Sequence, residues 1–143
     1  MIAQTLTTSF KTQLLTATHD FTASTGDTFY IALYLSTASL GADTTVYTAT
    51  GEISGTGYSA GGIALTAVTP TSTGTTAFTS FSDATFTGLV NSSIAGALIY
   101  NSSKSNKSVA VLDFGSMKIS TVATPLIINF PTASATTAII RFP

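Results

Sequence analysis

A chain of 143 residues with 44% hydrophobic residues, 8% charged residues, no cysteine and a net charge of −1 fits one domain, yet ordinary soluble domains carry roughly 25% charged residues. Positive mean hydropathy with so little net charge excludes intrinsic disorder, which needs the reverse combination. The absence of cysteine excludes a disulfide framework, a thiolate nucleophile and a thiolate metal site.

The first periodic segment predicts the only helix. Thr7, Thr8 or Ser9 can cap it, Phe10, Leu14 and Leu15 recur at helical spacing, and Thr18, His19 and Asp20 close it. A helix of about three turns is marginal alone and needs a packing partner. After Gly26 the period becomes two. Phe29, Ile31, Leu33 and Leu35 alternate with Tyr30, Ala32, Tyr34 and Ser36, a strand with one aliphatic and one aromatic face. Residues 39–45 read as a loop and residues 46–53 as a second strand. A glycine-rich stretch, residues 54–62, leads into a strand through Ile63, Leu65 and Ala67, which Pro70 stops.

Residues 71–76 form a Thr/Ser/Gly turn, and Phe78, Phe81 and Phe86 sit in short strands around Asp83. A bend at residues 88–93 precedes a strong strand at 94–100, a polar hairpin loop at 101–108 and a returning strand at 109–114, broken by Gly115. Segments 126–130, framed by Pro125 and Pro131, and 137–142 complete the set. Short strands at roughly ten-residue spacing indicate an all-β chain, a β-sandwich or jelly-roll-like single domain with one short N-terminal helix. The division is an N-terminal arm and helix at residues 1–20 and a β-sandwich domain at 21–143. No internal repeat suggests a solenoid.

The chemistry-bearing residues point to no active site, so no catalytic, cofactor-binding or metal residues are expected. His19 is the only histidine, which rules out multi-histidine zinc sites, and no Gly-x-Ser-x-Gly elbow accompanies it. Its place at a helix end favours a cationic imidazole there. The carboxylates Asp20, Asp27, Asp43, Glu52, Asp83 and Asp113 lie in turn-prone stretches, where Asp bonds its own backbone. Glu52 is the one whose substitution by Gln would test for hydrolysis. The stretch from Gly55 to Gly62 lacks the lysine of a phosphate loop and opens a strand, so its glycines serve positive φ and close backbone approach. Lys104 and Lys107 are too few for a nucleic-acid footprint. Asn91, Asn101 and Asn106 begin glycosylation sequons that carry little weight in so serine-rich a chain. Tyr30, Tyr34, Tyr47 and Tyr58 offer either interface packing or a sugar-stacking platform.

The missing charge is replaced by 29 Thr and 18 Ser, whose hydroxyls cost far less to desolvate than ions. Such a surface suits burial against neighbouring subunits. Residues 1–11 lack the pattern of a secretory signal, and no apolar run approaches the ~20 residues of a membrane helix. The expected product is made in a cytoplasm, with neither nucleic acid nor membrane as partner.

Several strings carry a resemblance. Phe10-Lys11 with Leu14-Leu15, His19-Asp20-Phe21, Gly26-Asp27-Thr28-Phe29 and Ala32-Leu33-Tyr34 precede the most specific one, Glu52-Ile53-Ser54-Gly55-Thr56-Gly57-Tyr58-Ser59-Ala60-Gly61-Gly62. Later come Ala97-Leu98-Ile99-Tyr100-Asn101, the run from Asn106-Lys107-Ser108 to Asp113-Phe114-Gly115, and Ile139-Ile140-Arg141. Together these resemble small virion structural proteins of tailed bacteriophages, encoded near head and tail genes. The resemblance implies a virion location, a capsid decoration (cement) role on the major capsid protein and a homo-oligomer such as a dimer or trimer. A tail or head–tail connector component and a carbohydrate-binding fibre module are the alternatives. The segment from Met1 to Thr8 and the strand reaching Phe142 are the expected contact segments.

Overall fold

A computed structural model describes residues 1–143. In chain order the elements are β1 (Thr5–Leu6), α1 (Thr8–Leu15), β2 (Phe29–Tyr34), β3 (Ile63–Leu65), β4 (Ala67–Thr73), β5 (Thr76–Phe81), β6 (Ala84–Phe86), β7 (Asn91–Asn101), a 3-10 turn (Ser102–Lys104), β8 (Lys107–Ser120), β9 (Leu126–Ile128) and β10 (Ile140–Phe142). The chain is all-β with one short helix. Its strands form antiparallel sheets of five, three and two strands, in the orders β1-β8-β7-β2-β3, β10-β5-β4 and β6-β9.

The two-residue period of β2 decides the layering. Phe29, Ile31 and Leu33 point into one core with Ile99, Val109 and Phe10, and this core also takes Phe81, Phe86, Ile128 and Ile140 from the smaller sheets. Ala32 and Tyr34 point the other way, into a second core with Leu98, Tyr100 and Val111 that Ile2, Ala38 and Leu40 close. Both faces of the central sheet are therefore buried, one under α1 and the small sheets, the other under chain that is mostly irregular. Aromatic packing is densest in the first core, where Phe21 stacks on Phe29 with centroids 4.4 Å apart. Each large apolar side chain fully buried there contributes about 1.5–3 kcal/mol.

Thr7 is the N-cap of α1, its Oγ1 accepting from the Phe10 N–H at 3.3 Å. The helix ends at Leu15, before the expected stop at Thr18, because the N–H groups of Thr16 and Thr18 both bond the Gln13 carbonyl and Ala17 turns left-handed at φ 54°. Leu15 consequently points to solvent, 89% exposed, whereas Phe10 is fully buried. Residues 1–20 do not stand apart as an arm. The Met1 amino group donates to Ala38 O, β1 pairs with β8, and Phe10 belongs to the main core.

Four further sequence readings are corrected. Residues 46–53 form no strand; they pair with the sheet only at the isolated bridges Val46↔Lys107 and Tyr34↔Glu52, since the chain turns sharply at Gly51, φ 77°. Pro70 does not stop its strand: β4 is an edge strand, and its register on β5 shifts between Val68 and Thr71, so the missing N–H is not needed. Gly115 does not end β8. Asp113 and Lys118 pair with Gly96 and Ile94, so residues 114–117 bulge outward and pairing then resumes. The last strand covers only Ile140–Phe142 rather than residues 137–142.

The glycine-rich stretch behaves as its composition predicts. A Cβ on Gly62, at φ 79°, would lie 1.8 Å from Ile31 O, so the backbone passes where no side chain fits. Gly62→Ala is expected to destabilise the fold by about 4 kcal/mol or prevent folding. Gly74→Ala, at φ 60° with open space around it, is expected to cost only about 1–2 kcal/mol. Denaturant melts of the two variants check the contrast.

Candidate functional site

Three features hold the chemistry-bearing residues: a carboxylate clasp, a buried histidine network and an exposed apolar arm. The clasp arises where the irregular layer crosses the end of β2. The Ile53 N–H donates to Leu33 O at 3.0 Å and the Leu35 N–H to Gly51 O at 2.9 Å, which places Glu52 between the tyrosines. Its Oε2 accepts from the Tyr47 hydroxyl at 2.6 Å; its Oε1 accepts from the Tyr58 hydroxyl and the Gly61 N–H, both at 2.7 Å. The Tyr58 oxygen also accepts from the Leu33 N–H at 2.9 Å, and the Tyr100 hydroxyl donates to Gly61 O at 2.8 Å. Tyr34 closes the group by donating to Thr48 O.

Burial is the main reason that all four phenols resist ionisation, and the adjacent Glu52 charge adds to it. Tyr100 is pushed up to about 12, and Tyr34, Tyr47 and Tyr58 higher still. The carboxylate is thus saturated by donors of its own chain, and the phenols stay protonated donors at neutral pH. A sugar-stacking platform needs open aromatic faces. Tyr34 and Tyr100 are buried, and Tyr30 and Tyr47 pack against Tyr100 with centroids 5.9 and 4.9 Å away. Tyr34 and Tyr100 are interior packing, and Tyr30 and Tyr47 lie half-buried against them.

The histidine network lies on the opposite face. His19, 8% exposed, packs between Phe10 and Phe29 with centroids 5.1 and 6.5 Å away. Its Nε2 meets Gln13 Oε1 at 2.8 Å and its Nδ1 meets Asn101 Nδ2 at 2.9 Å. Since Gln13 presents an acceptor and Asn101 a donor, Nε2 carries the proton and the ring is neutral. Burial lowers its pKa most; Asp27 opposes this, and Lys107 and Lys104 add to the lowering. The cationic helix-end imidazole read from the sequence is corrected accordingly.

Asp27 accepts from Asn101 Nδ2 at 2.7 Å and from the Asp20 N–H at 2.9 Å, and pairs with Lys104 at 3.5 Å. His19 and Asp27, on one loop, are brought together with the distant Lys104. The other carboxylates scatter into backbone contacts: Asp20 on the Thr22 N–H, Asp113 on the Gly115 N–H, Asp83 on the distant Phe130 N–H. No group of three His, Cys, Asp or Glu is placed to hold a metal ion, and no helix is long and apolar enough to cross a membrane. Asn101 is fully buried, so its sequon is closed to modification. Gln13 and Asn101 carry no sequence signal for this role; Asn101 reads there as the start of a polar loop.

The arm is built by the bulge of β8. Met117 and Ile119, 57% and 66% exposed, alternate with the inward Lys118 and Ser120, and Val122 and Ile127 on the following turn and β9 are 74% and 49% exposed. A shallow groove of about 330 Å³ runs beside it between Gln4, Leu112, Phe114 and Ile127.

Two outcomes follow for the polar clusters. Glu52→Ala leaves three donors without an acceptor and is expected to cost about 2–3 kcal/mol in a denaturant melt, whereas Glu52→Gln keeps an oxygen and costs less. His19 is neutral in the fold with a pKa below its ordinary 6.5, so the unfolded chain binds more protons in that window. Its contribution is complete above about pH 6.5 and is lost as pH falls through the folded-state value. The melting temperature of the wild type should therefore drop between pH 7 and 5 more steeply than that of His19→Gln.

No protein-family model matches this chain, and neither a curated protein nor a solved structure is similar to it.

Proposed function

We propose that this chain is a non-enzymatic virion structural protein that binds and stabilises a phage capsid shell as a decoration protein. The observation that carries the reading is the apolar arm. Between residues 117 and 127 four large apolar side chains stand at least about half exposed, with Lys118 as the only charge. An exposed apolar display on a surface otherwise dressed in hydroxyls marks a protein–protein contact, because little must be desolvated to bury it. The strings centred on Glu52 and Tyr58 support the phage origin by resemblance, and the sandwich-like layering of unequal sheets is compatible with it.

Docking of the arm onto the major capsid protein, or onto another copy in a dimer or trimer, is the mechanism of stabilisation. The Met1 to Thr8 segment contributes little to such docking, since it is already spent on β8 and on Ala38 and Leu40 of its own chain. A tail or head–tail connector component is the competing assembly role, and copy number separates the two. Gel quantitation of purified particles is expected to give hundreds of copies; six or twelve would move the protein to the connector or tail. The double variant Ile119→Lys/Val122→Lys is expected to melt within about 1 kcal/mol of the wild type, as exposed substitutions do, and to lose particle association. Undiminished association of that folded variant would refute the arm as the contact.

A further inference from the structure

The histidine network contains one atom without a partner. Asn101 is fully buried, and its Oδ1 makes no hydrogen bond, while its Nδ2 serves two acceptors at once, His19 Nδ1 and Asp27 Oδ2. A buried amide ordinarily turns so that both ends are used. Here Asp27 forbids it. With the amide reversed, Asn101 Oδ1 would face a carboxylate oxygen at 2.7 Å, two acceptors with no proton between them. Asp27 is itself held in place by the Asp20 N–H and Lys104. The chain of constraint therefore runs from Asp27 to the Asn101 amide, from that amide to the His19 tautomer, and from His19 to Gln13.

A proton arriving at His19 Nδ1 would point at the Asn101 amino group 2.9 Å away, donor against donor. Reversal of the amide resolves that contact, since the unused Oδ1 then accepts from Nδ1–H, but it ends the bond to Asp27. We propose that His19, Asn101 and Asp27 form an acid-sensitive latch, in which protonation of His19 reverses the Asn101 amide and releases the loop at residues 20–27 from β7. The proton comes from solvent and returns to it, so the device is reversible. The groups facing His19 are Asp20 and Asp27 on its own loop, Lys104 on the 3-10 turn, Lys107 on β8 and the uncharged Gln13 on α1. The apolar groove that His19 also lines, about 450 Å³ between Leu14, Phe21, Phe78 and Phe142, brings no other titratable side chain than Asp20. The released loop carries Phe21, so acid acts on the same wall of the groove.

Because the chain has a single histidine, nitrogen NMR reads the latch without ambiguity. In the wild type His19 is expected as the neutral Nε2–H form at pH 7.5. The Asn101 side-chain amide and the Asp20 backbone amide are expected to shift with the midpoint of the imidazole. Asn101 and Asp20 signals that stay still through the His19 titration, or an Nδ1–H form at neutral pH, would overturn the latch. Asp27→Asn separates it from simple charge attraction. Loss of the Asp27 charge alone would lower the His19 midpoint, whereas unlocking the Asn101 amide raises it; a raised midpoint supports the proposal and a lowered one refutes it. Should Asp27→Asn fail to fold, the wild-type signals of Asn101 and Asp20 decide the question alone.

Discussion

Burial of β2 on both faces is the constraint on which the rest of this molecule depends. One face meets α1 and the smaller sheets, whose backbone groups are largely satisfied by their own hydrogen bonding. The other face is covered by chain without regular pairing, and buried backbone groups there must find partners elsewhere. Side chains provide them. Tyr34 bonds Thr48 O, Tyr100 bonds Gly61 O, Tyr58 accepts from Leu33 N, and Glu52 gathers Tyr47, Tyr58 and the Gly61 N–H. The irregular layer is thus held by phenols and one carboxylate in place of a strand ladder. The close passes at Gly57 and Gly62, where a Cβ would strike Gly88 and Ile31 backbone, let that layer lie flat against its neighbours.

How much of this is legible in the sequence depends on the range of the interaction. Alternation of Phe29, Ile31 and Leu33 with Tyr30, Ala32 and Tyr34 identifies β2 and its two unlike faces, because the signal is local and strict. The Thr7 cap and the positive-φ glycines are likewise local. The failures among the strands are questions of pairing. Residues 46–53 have strand composition, but nothing in them reveals that Gly51 turns the chain against Ala38. Pro70 and Gly115 look like strand stops, yet one lies on an edge and the other in a bulge, and both facts belong to the partner strand. The same limit hides the histidine network. Gln13 and Asp27 flank His19 within eight residues, but Asn101 is 82 residues away, and only the fold makes it a neighbour.

Scarcity of charge has a counterpart inside the molecule. Hydroxyls do the local work that ions do elsewhere: Thr7, Ser9 and Ser108 form one cluster that joins the helix cap to β8 and to Thr44 O. Ser134 and Thr137 tie the loop before β10 in the same way. The single salt bridge joins a half-exposed Lys104 to Asp27 of the histidine network. Glu52 and Asp27 are the carboxylates drawn into interior networks, and the few remaining charges are exposed or half-buried with their signs nearly balanced.

The bulge of β8 separates two paired segments along one strand. On one side of residues 114–117 the register is locked by Asp113 against Gly96, on the other by Lys118 against Ile94. The Asp113 carboxylate closes the intervening turn on the Gly115 N–H. Residues within that excursion can therefore be exchanged without sliding either paired segment. The composition of the exposed excursion is thereby uncoupled from the alignment of the buried strands on either side of it.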